Sequence, residues 1–463
     1  MTTELIHTKV EAALQDLRPG TLWVAYSGGR DSHVLLHAIC AIRRARQSPI
    51  SALPFPWSIR AVHVNHGLHE QSPVWARHCV DVCTELEVPI TIEQVTVASH
   101  GHGVEAAARD ARYTIFERLV RGGETLLMAH HQDDQVETVL LRLFRGSGLD
   151  GIGAMRARRK LGQGWLARPF LDVGRKYLDA YATAAGLVWC EDPSNGQVRY
   201  DRNYLRHEIM PAIEARWPGA PEAIARTSWL SQLLADQHTA QARADFELVQ
   251  GQSEGTLSVT GLSQLGLARA YAVLRYWVSD CGGDGPSLVH LQQLMSQAVE
   301  SRWDRMPVVG WSNTEVRRYR DELYLCTDTS SEGGWHAPRT WRLAEAVTLG
   351  HGVLTATPEI GRGFADACCV DSRGARAVRI RRRRGGEKIR LQAYGSKRLK
   401  VLFQERAVPP WQREVWPLVF VGDELAAVPG LCVAEKFATP PGMPGWSLNW
   451  NVSDHRRVTT TPP

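Results

Sequence analysis

Between Thr21 and Phe144 the chain alternates repeatedly between a short, β-prone apolar run and a stretch with helical spacing. The runs are Thr21–Tyr26, Ile59–Val64, Ile90–Val95 and Thr125–Ala129. The helical stretches are Ser32–Ile39, Ser72–Leu86, Val104–Val120 and Asp134–Phe144. Parallel strands need crossover connections of this length, so the alternation predicts a doubly wound parallel sheet, an α/β domain with helices on both faces. Such sheets bind ligands beyond the carboxyl ends of their strands, and the polar clusters of this sequence fall at those ends.

With 463 residues the chain is too long for one core. The α/β domain is expected over 1–215. After Pro211 the pattern changes: 216–330 reads as a helical middle domain, with Leu230, Leu233 and Leu234, then Leu265, Leu267, Tyr271 and Leu274, at helical spacing. Thr329–Gly334 reads as a linker, 340–455 as a small α+β C-terminal domain, and Thr459–Pro463 as a disordered tail. Apolar residues at 44% and charged residues at 22% place the chain among ordinary globular proteins. No window reaches the roughly 18 apolar residues of a membrane span, and the first residues do not form a secretory signal; a cytoplasmic, non-membrane protein is expected. Nine cysteines at irregular spacing, with no Cys-x-x-Cys, argue against a disulfide framework, a zinc site or a redox pair.

The hexapeptide Ser27-Gly28-Gly29-Arg30-Asp31-Ser32 follows the first strand and opens a helix. Its glycines permit backbone conformations and approaches that a Cβ blocks. The helix start supplies free N–H groups and a positive dipole end, and the serines supply hydroxyls. This suits a pyrophosphate; a plain glycine turn is the alternative. In His130-His131-Gln132-Asp133-Asp134-Gln135-Val136-Glu137, Asp134 and Glu137 share a helix face just after His130. Hard oxygens of this kind suit the Mg²⁺ that ATP carries. Acidic residues complementing the helix dipole are the blander explanation. Arg109 and Arg112 share a face and read either as phosphate contacts or as surface partners, for example of Glu105. Arg202, Asn203 and Arg206 share another face, suited to a nucleic-acid backbone, to a reacting phosphate or simply to solvent. His63, Asn65 and His66 end the second strand, where a base edge could bind. Arg145-Gly146-Ser147-Gly148 reads as a helix stop or a substrate-side loop.

Net charge is only +5, but from Arg373 to Lys400 twelve Lys or Arg stand against one acid, Glu387. Arg381, Arg382, Arg383 and Arg384, extended by Lys388, Arg390, Lys397, Arg398 and Lys400, match what a phosphate backbone needs.

The hexapeptide resembles the PP-loop of the ATP pyrophosphatase superfamily, whose members split ATP into AMP and pyrophosphate to adenylate a substrate. Further segments narrow the resemblance: His63–Leu68, Glu105–Tyr113, Ala129–Thr138, Arg142–Gly148, Trp189–Asn195 and Arg202–Arg206. In this order they resemble the bacterial tRNA(Ile)-lysidine synthetase family, closely over the first 211 residues and more loosely beyond. The family pattern has a glycine nearer Met155 than Gly153 stands here. The resemblance implies a carbon–nitrogen ligase that uses ATP and Mg²⁺ to adenylate C2 of the wobble cytidine of a CAU-anticodon tRNA(Ile), then lets L-lysine displace AMP. It implies that Ser27 to Ser32 bind ATP, that Asp31 and Asp134 place the metal or phosphates, and that Arg109 and Arg112 offset developing charge. It makes His130 and Glu137 further active-site residues. It assigns the C-terminal domains to the tRNA acceptor stem and leaves a homodimer open. The rival readings are a cytidine-thiolating PP-loop enzyme, which lacks support without Cys-x-x-Cys, glutamine-dependent amidation, for which no amidotransferase domain precedes the loop, and a tRNA-binding protein with an idle PP-loop.

Overall fold

A computed structural model describes residues 2–15, 17–47, 55–67, 69–95, 104–302, 305–326, 335, 337–350, 352–368, 377–392 and 395–452. The linker expected at Thr329–Gly334, the tail from Thr459 and the side chain of Glu105 lie outside the described residues.

The first of two compact bodies, Met1–Gln237, carries a six-stranded sheet of order β3-β2-β1-β4-β6-β5. Its elements are α1 (Thr2–Gln15), β1 (Thr21–Ala25), α2 (Arg30–Arg46), β2 (Ser58–Asn65), α3 (Ser72–Glu85), β3 (Ile90–Gln94), α4 (Val104–Leu119), β4 (Thr125–Leu127), α5 (Gln132–Phe144), α6 (Leu149–Ile152), β5 (Arg158–Leu161), β6 (Gly164–Ala167) and α7 (Arg175–Ala184). All neighbours pair in parallel except β5, which lies antiparallel on β6 at the edge. Three consecutive residues of β1, Leu22, Trp23 and Val24, are buried because both faces of the sheet are covered. Leu22 and Val24 pack with Ile6 and Val10 of α1, Leu35 and Ile39 of α2, Cys79 and Cys83 of α3, and Leu178 and Tyr181 of α7. Trp23 packs the other way, with Ile115 and Phe116 of α4 and with Leu126 and Leu166. Complete burial of one such aliphatic side chain stabilises by about 1.5–3 kcal/mol. A charge at Val24, which is 0% exposed, would forfeit this and bury an unpaired ion.

The sequence order 1, 2, 3 runs outward on one side of β1, and β4 returns to its other side. That reversal leaves a crevice beyond the carboxyl ends of β1 and β4. Past α7, α8 (Asp201–Tyr204) continues through a π turn (Leu205–Ile209) into α9 (Met210–Arg216), followed by α10 (Ala220–Leu248).

The second body, His238–Pro463, begins within α10. Helices α11 (Val259–Gln264), α12 (Leu267–Asp280) and α13 (Leu288–Gln293) pack against a four-stranded antiparallel sheet formed by Leu257–Ser258, Val308–Trp311, Thr314–Tyr319 and Glu322–Cys326. These strands fall inside the stretch read from sequence as helical. Two-residue loops join the last three, with Ser312 at φ 46° and Arg320 at φ 56°. Neither loop carries the Asn-Gly or Asp-Gly signal that marks a hairpin in sequence. Beyond Arg339 follow a five-stranded and a four-stranded antiparallel sheet and a hairpin of Lys388–Leu391 with Gly395–Arg398. They share a core that includes Trp341, Phe364, Phe403 and Leu418. Arg413 donates to the Tyr319 hydroxyl (2.9 Å) and Arg320 to the Gln404 carbonyl (2.7 Å), which ties the two halves of this body together.

Candidate active site

Ser27 to Gly29 link β1 to α2. Gly28 has φ +84°, and a Cβ there would lie 3.0 Å from Cys79 Sγ of α3. Only glycine meets both demands. Gly29 is different: its φ of −79° is open to any residue, and a Cβ would crowd only Ser27 Oγ, at 3.3 Å. The hydroxyls are turned to building the loop. Ser27 N–H donates to Ser32 Oγ (3.2 Å), Ser32 Oγ donates to the Gly29 carbonyl (2.9 Å), and the two hydroxyls lie 3.0 Å apart. As the cap of α2, Gly29 offers no side-chain acceptor to the N–H groups of the first turn, which keeps them available to an anion. Arg30 does not face that end. Its guanidinium holds Asp31 (3.1 Å) and Asp179 of α7 (2.5 Å).

Three carboxylates meet around His131, which is 2% exposed at the start of α5. Nε2 lies 3.6 Å from Asp31 and 3.5 Å from Asp134, and Nδ1 lies 3.6 Å from Asp133. Burial favours a neutral ring, but Asp134, Asp133 and Asp31 outweigh it and push the imidazole up to about 10. Burial likewise opposes ionisation of Asp31, yet His131 and Arg30 bring its carboxyl down to about 2. His131 is therefore a cation that gathers the two aspartates the sequence pointed to. Among the described residues no group of three or more His, Cys, Asp or Glu forms a metal cage. The oxygens of Asp31 and Asp134 instead fit Mg²⁺ arriving with phosphates, which takes one or two carboxylates from the protein.

Glu137, the other acid proposed from sequence, has both oxygens engaged. It accepts from Arg202 Nε (2.8 Å), Arg206 Nε (2.7 Å) and Arg206 Nη2 (3.1 Å), and it is 1% exposed. Arg206 also reaches Asp134 (3.2 Å), and Arg202 donates to Thr138 Oγ1 (3.0 Å). Arg202 and Arg206 thus face inward onto α5, whereas Asn203 donates to the Gln197 carbonyl (3.0 Å).

Beside this cluster lies a cavity of about 430 Å³, at the carboxyl ends of β1, β2 and β4. Ser27, Asp31, Ser32, His63, Asn65, His66, Arg112, His130 and Asp134 line it. Of the paired arginines only Arg112 is in this wall; Arg109 lies over the Tyr113 ring, 5.3 Å from its centre. His63 donates from Nδ1 to the Tyr26 carbonyl (3.0 Å), and burial lowers its pKa. His130 accepts at Nδ1 from Arg168 Nε (3.2 Å). Burial holds His130 well below the usual imidazole range, against the pull of Asp134 and helped by Arg168, Arg202 and Arg112.

Arg168 and His131 escaped the sequence reading. His131 was hidden by its neighbour, since nothing in the sequence separates two adjacent histidines. Arg168 directly follows β6, whose four residues, Gly164-Trp165-Leu166-Ala167, are too few to show a period. Arg145 to Gly148 follow α5 as a helix stop: Gly146 has φ +72°. Where a glycine was expected before Met155 stands Ala154, with φ +50°. The departure from the family pattern thus falls on a left-handed residue.

In the second body the arginine run curls around Glu387. Arg381 (3.4 Å) and Arg383 (3.7 Å) pair with it, and it accepts the backbone N–H of Arg384. Arg381 also lies 4.0 Å from the Phe420 ring centre. Arg382 is half-buried, Lys397 pairs with Glu405, and the side chains of Arg384 and Lys400 are exposed.

The parallel sheet, the Ser-Gly-Gly turn and the aspartates beyond it define a PP-loop domain, and a PP-loop family model matches residues 2–213. Models of a TilS substrate binding domain and a TilS substrate C-terminal domain match 257–324 and 378–450. The chain is 37% identical over 436 residues to the tRNA(Ile)-lysidine synthase of Coxiella burnetii, covering 93% of this chain and 92% of that protein. It is 39% identical over 427 residues to that of Alkalilimnicola ehrlichii, covering 90% and 91%. A solved TilS C-terminal domain aligns over 25% of this chain and 98% of its own length, at 22% identity and a TM-score of 0.21. This chain belongs to the tRNA(Ile)-lysidine synthase family, and it is an ATP-using enzyme.

Proposed function

We propose that the chain joins L-lysine to C2 of the wobble cytidine of a CAU-anticodon tRNA(Ile), through an adenylated cytidine, with release of pyrophosphate and AMP. The observation that carries this for the present chain is the meeting of Asp31 and Asp134 at His131 on the wall of a cavity that also holds the loop. The loop and the start of α2 hold the departing pyrophosphate. Cytidine O2 attacks the α-phosphorus, forming one O–P bond as the bond to pyrophosphate breaks. Asp31 and Asp134 would hold Mg²⁺, which when bound would neutralise phosphate charge. Arg112, on the cavity wall, offsets the charge that develops. The lysine amine then attacks C2 in its neutral form, AMP leaves with the O2 atom, and the amine loses a proton. Arg202 and Arg206 serve by supporting α5 and its acids, and Asn203 by holding the Gln197 carbonyl ahead of α8. Arg381 to Arg384, Lys397 and Lys400 belong to the tRNA-facing surface, where Arg384 and Lys400 are best exposed for contact. Among the described residues no helix is long and apolar enough to cross a membrane; the reaction is assigned to the cytoplasm, where its substrates coexist. Thiolation is disfavoured by the family match and by the lack of Cys-x-x-Cys.

The test is incubation with transcribed tRNA(Ile), ATP, Mg²⁺ and labelled lysine. Label at the wobble cytidine, one AMP per lysine, is the expected result. ATP cleavage without lysine transfer would overturn the assignment.

A further inference from the structure

His130 and His63 both line the cavity, and each has its Nδ1 engaged from behind by a partner that fixes which ring nitrogen carries the proton. The Tyr26 carbonyl can only accept, so His63 carries its proton on Nδ1 and keeps a lone pair on Nε2. Behind His130 stands a guanidinium, which can only donate. His130 must then offer its Nδ1 lone pair and carry its proton on Nε2.

Arg168 is well placed to enforce this. It is 4% exposed, at the carboxyl end of β6. Its Nη1 donates to the Arg156 carbonyl (2.8 Å) and its Nη2 to the Tyr113 hydroxyl (3.4 Å). These bonds fix the plane of the guanidinium, so Nε is aimed at His130. Among the described residues, the hydrogen-bond partners of Arg168 are the His130 ring, the Arg156 carbonyl and the Tyr113 hydroxyl, with no carboxylate to soften its charge. A second proton on His130 would both remove the accepting lone pair and set a cation 3.2 Å from a buried cation.

We infer that Arg168 is a positioning residue that locks His130 as a neutral Nε2–H hydrogen-bond donor to a substrate oxygen, so that His130 does not take the lysine proton. The inference rests on the reaction proposed above and refines its proton accounting: the base lies elsewhere on the wall. Where a histidine binds a metal, loss of the partner on its other nitrogen typically costs about 10–100-fold in affinity or activity, and the same scale is expected here.

The experiment has a spectroscopic arm and a kinetic arm. In the wild-type protein, ¹⁵N NMR of the imidazole should show His130 with Nε2 protonated and Nδ1 bare, unchanged from pH 5.5 to 8. In Arg168→Gln that signal should move to a mixture of tautomers, and tRNA-dependent AMP formation should lose about 10–100-fold in kcat with KM for ATP nearly constant. Methylguanidine added to Arg168→Ala should restore part of the loss. Should the Arg168 variants fail to fold, two variants at the histidine itself decide the matter. Glutamine places an amide N–H near the Nε2 position and is no base. His130→Gln should therefore outpace His130→Ala by at least tenfold. An Nδ1–H tautomer in the wild type, or equal loss in His130→Gln and His130→Ala, would overturn the inference. The NMR arm needs no turnover, so its result stands even if labelled lysine fails to enter the tRNA.

Discussion

Two groups of arginines that look alike in the sequence differ in what stands opposite them. Arg202 and Arg206 face the buried carboxylate of Glu137 and, through Arg206, Asp134. The run Arg381 to Arg384 faces a single acid, Glu387, and leaves Arg384 exposed together with Lys400. Where buried acids outnumber or match the arginines, the guanidinium is part of the protein's interior chemistry. Where cations outnumber acids on a surface, the surplus is available to an outside polyanion. Counting charges along the chain does not separate the two cases; the burial of the partner does.

The largest effect should come at the inward cluster. Asp31→Ala removes an oxygen donor from the cavity wall and one carboxylate from His131, and AMP formation should fall by about 10²–10³-fold or more. Filter binding should meanwhile show tRNA affinity within about twofold of wild type, since Asp31 is not among the cations proposed to contact the tRNA backbone. Next in size is Arg206→Ala, which leaves Glu137 buried with one partner and should cost about 3 kcal/mol in urea unfolding. Arg206→Ala combined with Glu137→Gln should recover part of that loss, because the uncompensated charge is then gone. If Arg206→Ala changed only tRNA affinity, the inward assignment would be wrong.

At the outward cluster, Arg384→Ala with Lys400→Ala should weaken tRNA binding several-fold at moderate salt. The slope of log K against log salt should flatten by about 1.4–1.8, or 0.7–0.9 per lost phosphate contact, with ATP binding unchanged. Arg381→Ala and Arg383→Ala should flatten it less, since Glu387 already holds them. An unchanged slope in all of these would move the tRNA elsewhere. Smallest is Ala154→Gly, which relieves a left-handed alanine and should raise stability by about 0.5 kcal/mol in thermal melts.

The strands and helices from β1 to α5 were legible because apolar, β-prone runs alternate there with stretches at helical spacing, even though β4 itself pairs only over Thr125–Leu127. α1 went unread because only Ile6, Val10 and Leu14 are buried on it, a narrow stripe in a polar helix. β5 and β6 went unread because Arg158-Arg159-Lys160-Leu161 and Gly164-Trp165-Leu166-Ala167 form no apolar β-branched run of the kind that marks β1 to β4. The loop, Asp31, Asp134 and Arg112, which line one cavity, could be picked out in the sequence from the hexapeptide and the motifs that follow it. Their link through His131 was not, for that depends on a crossover that brings the end of β4 beside the end of β1. Glu137 was legible as an acid near the site but not as one already neutralised, because its partners lie some seventy residues further along the chain.

Gly28 and Cys79 share one more consequence. The sulfur of α3 sits where a side chain on the loop would go, and it also lies 3.4 Å from His63. The two positions therefore form an evolutionary lock. Neither can grow unless the other shrinks, and position 28 has nothing left to give up. A lineage of such chains could exchange Cys79 for a smaller residue but not for a larger one.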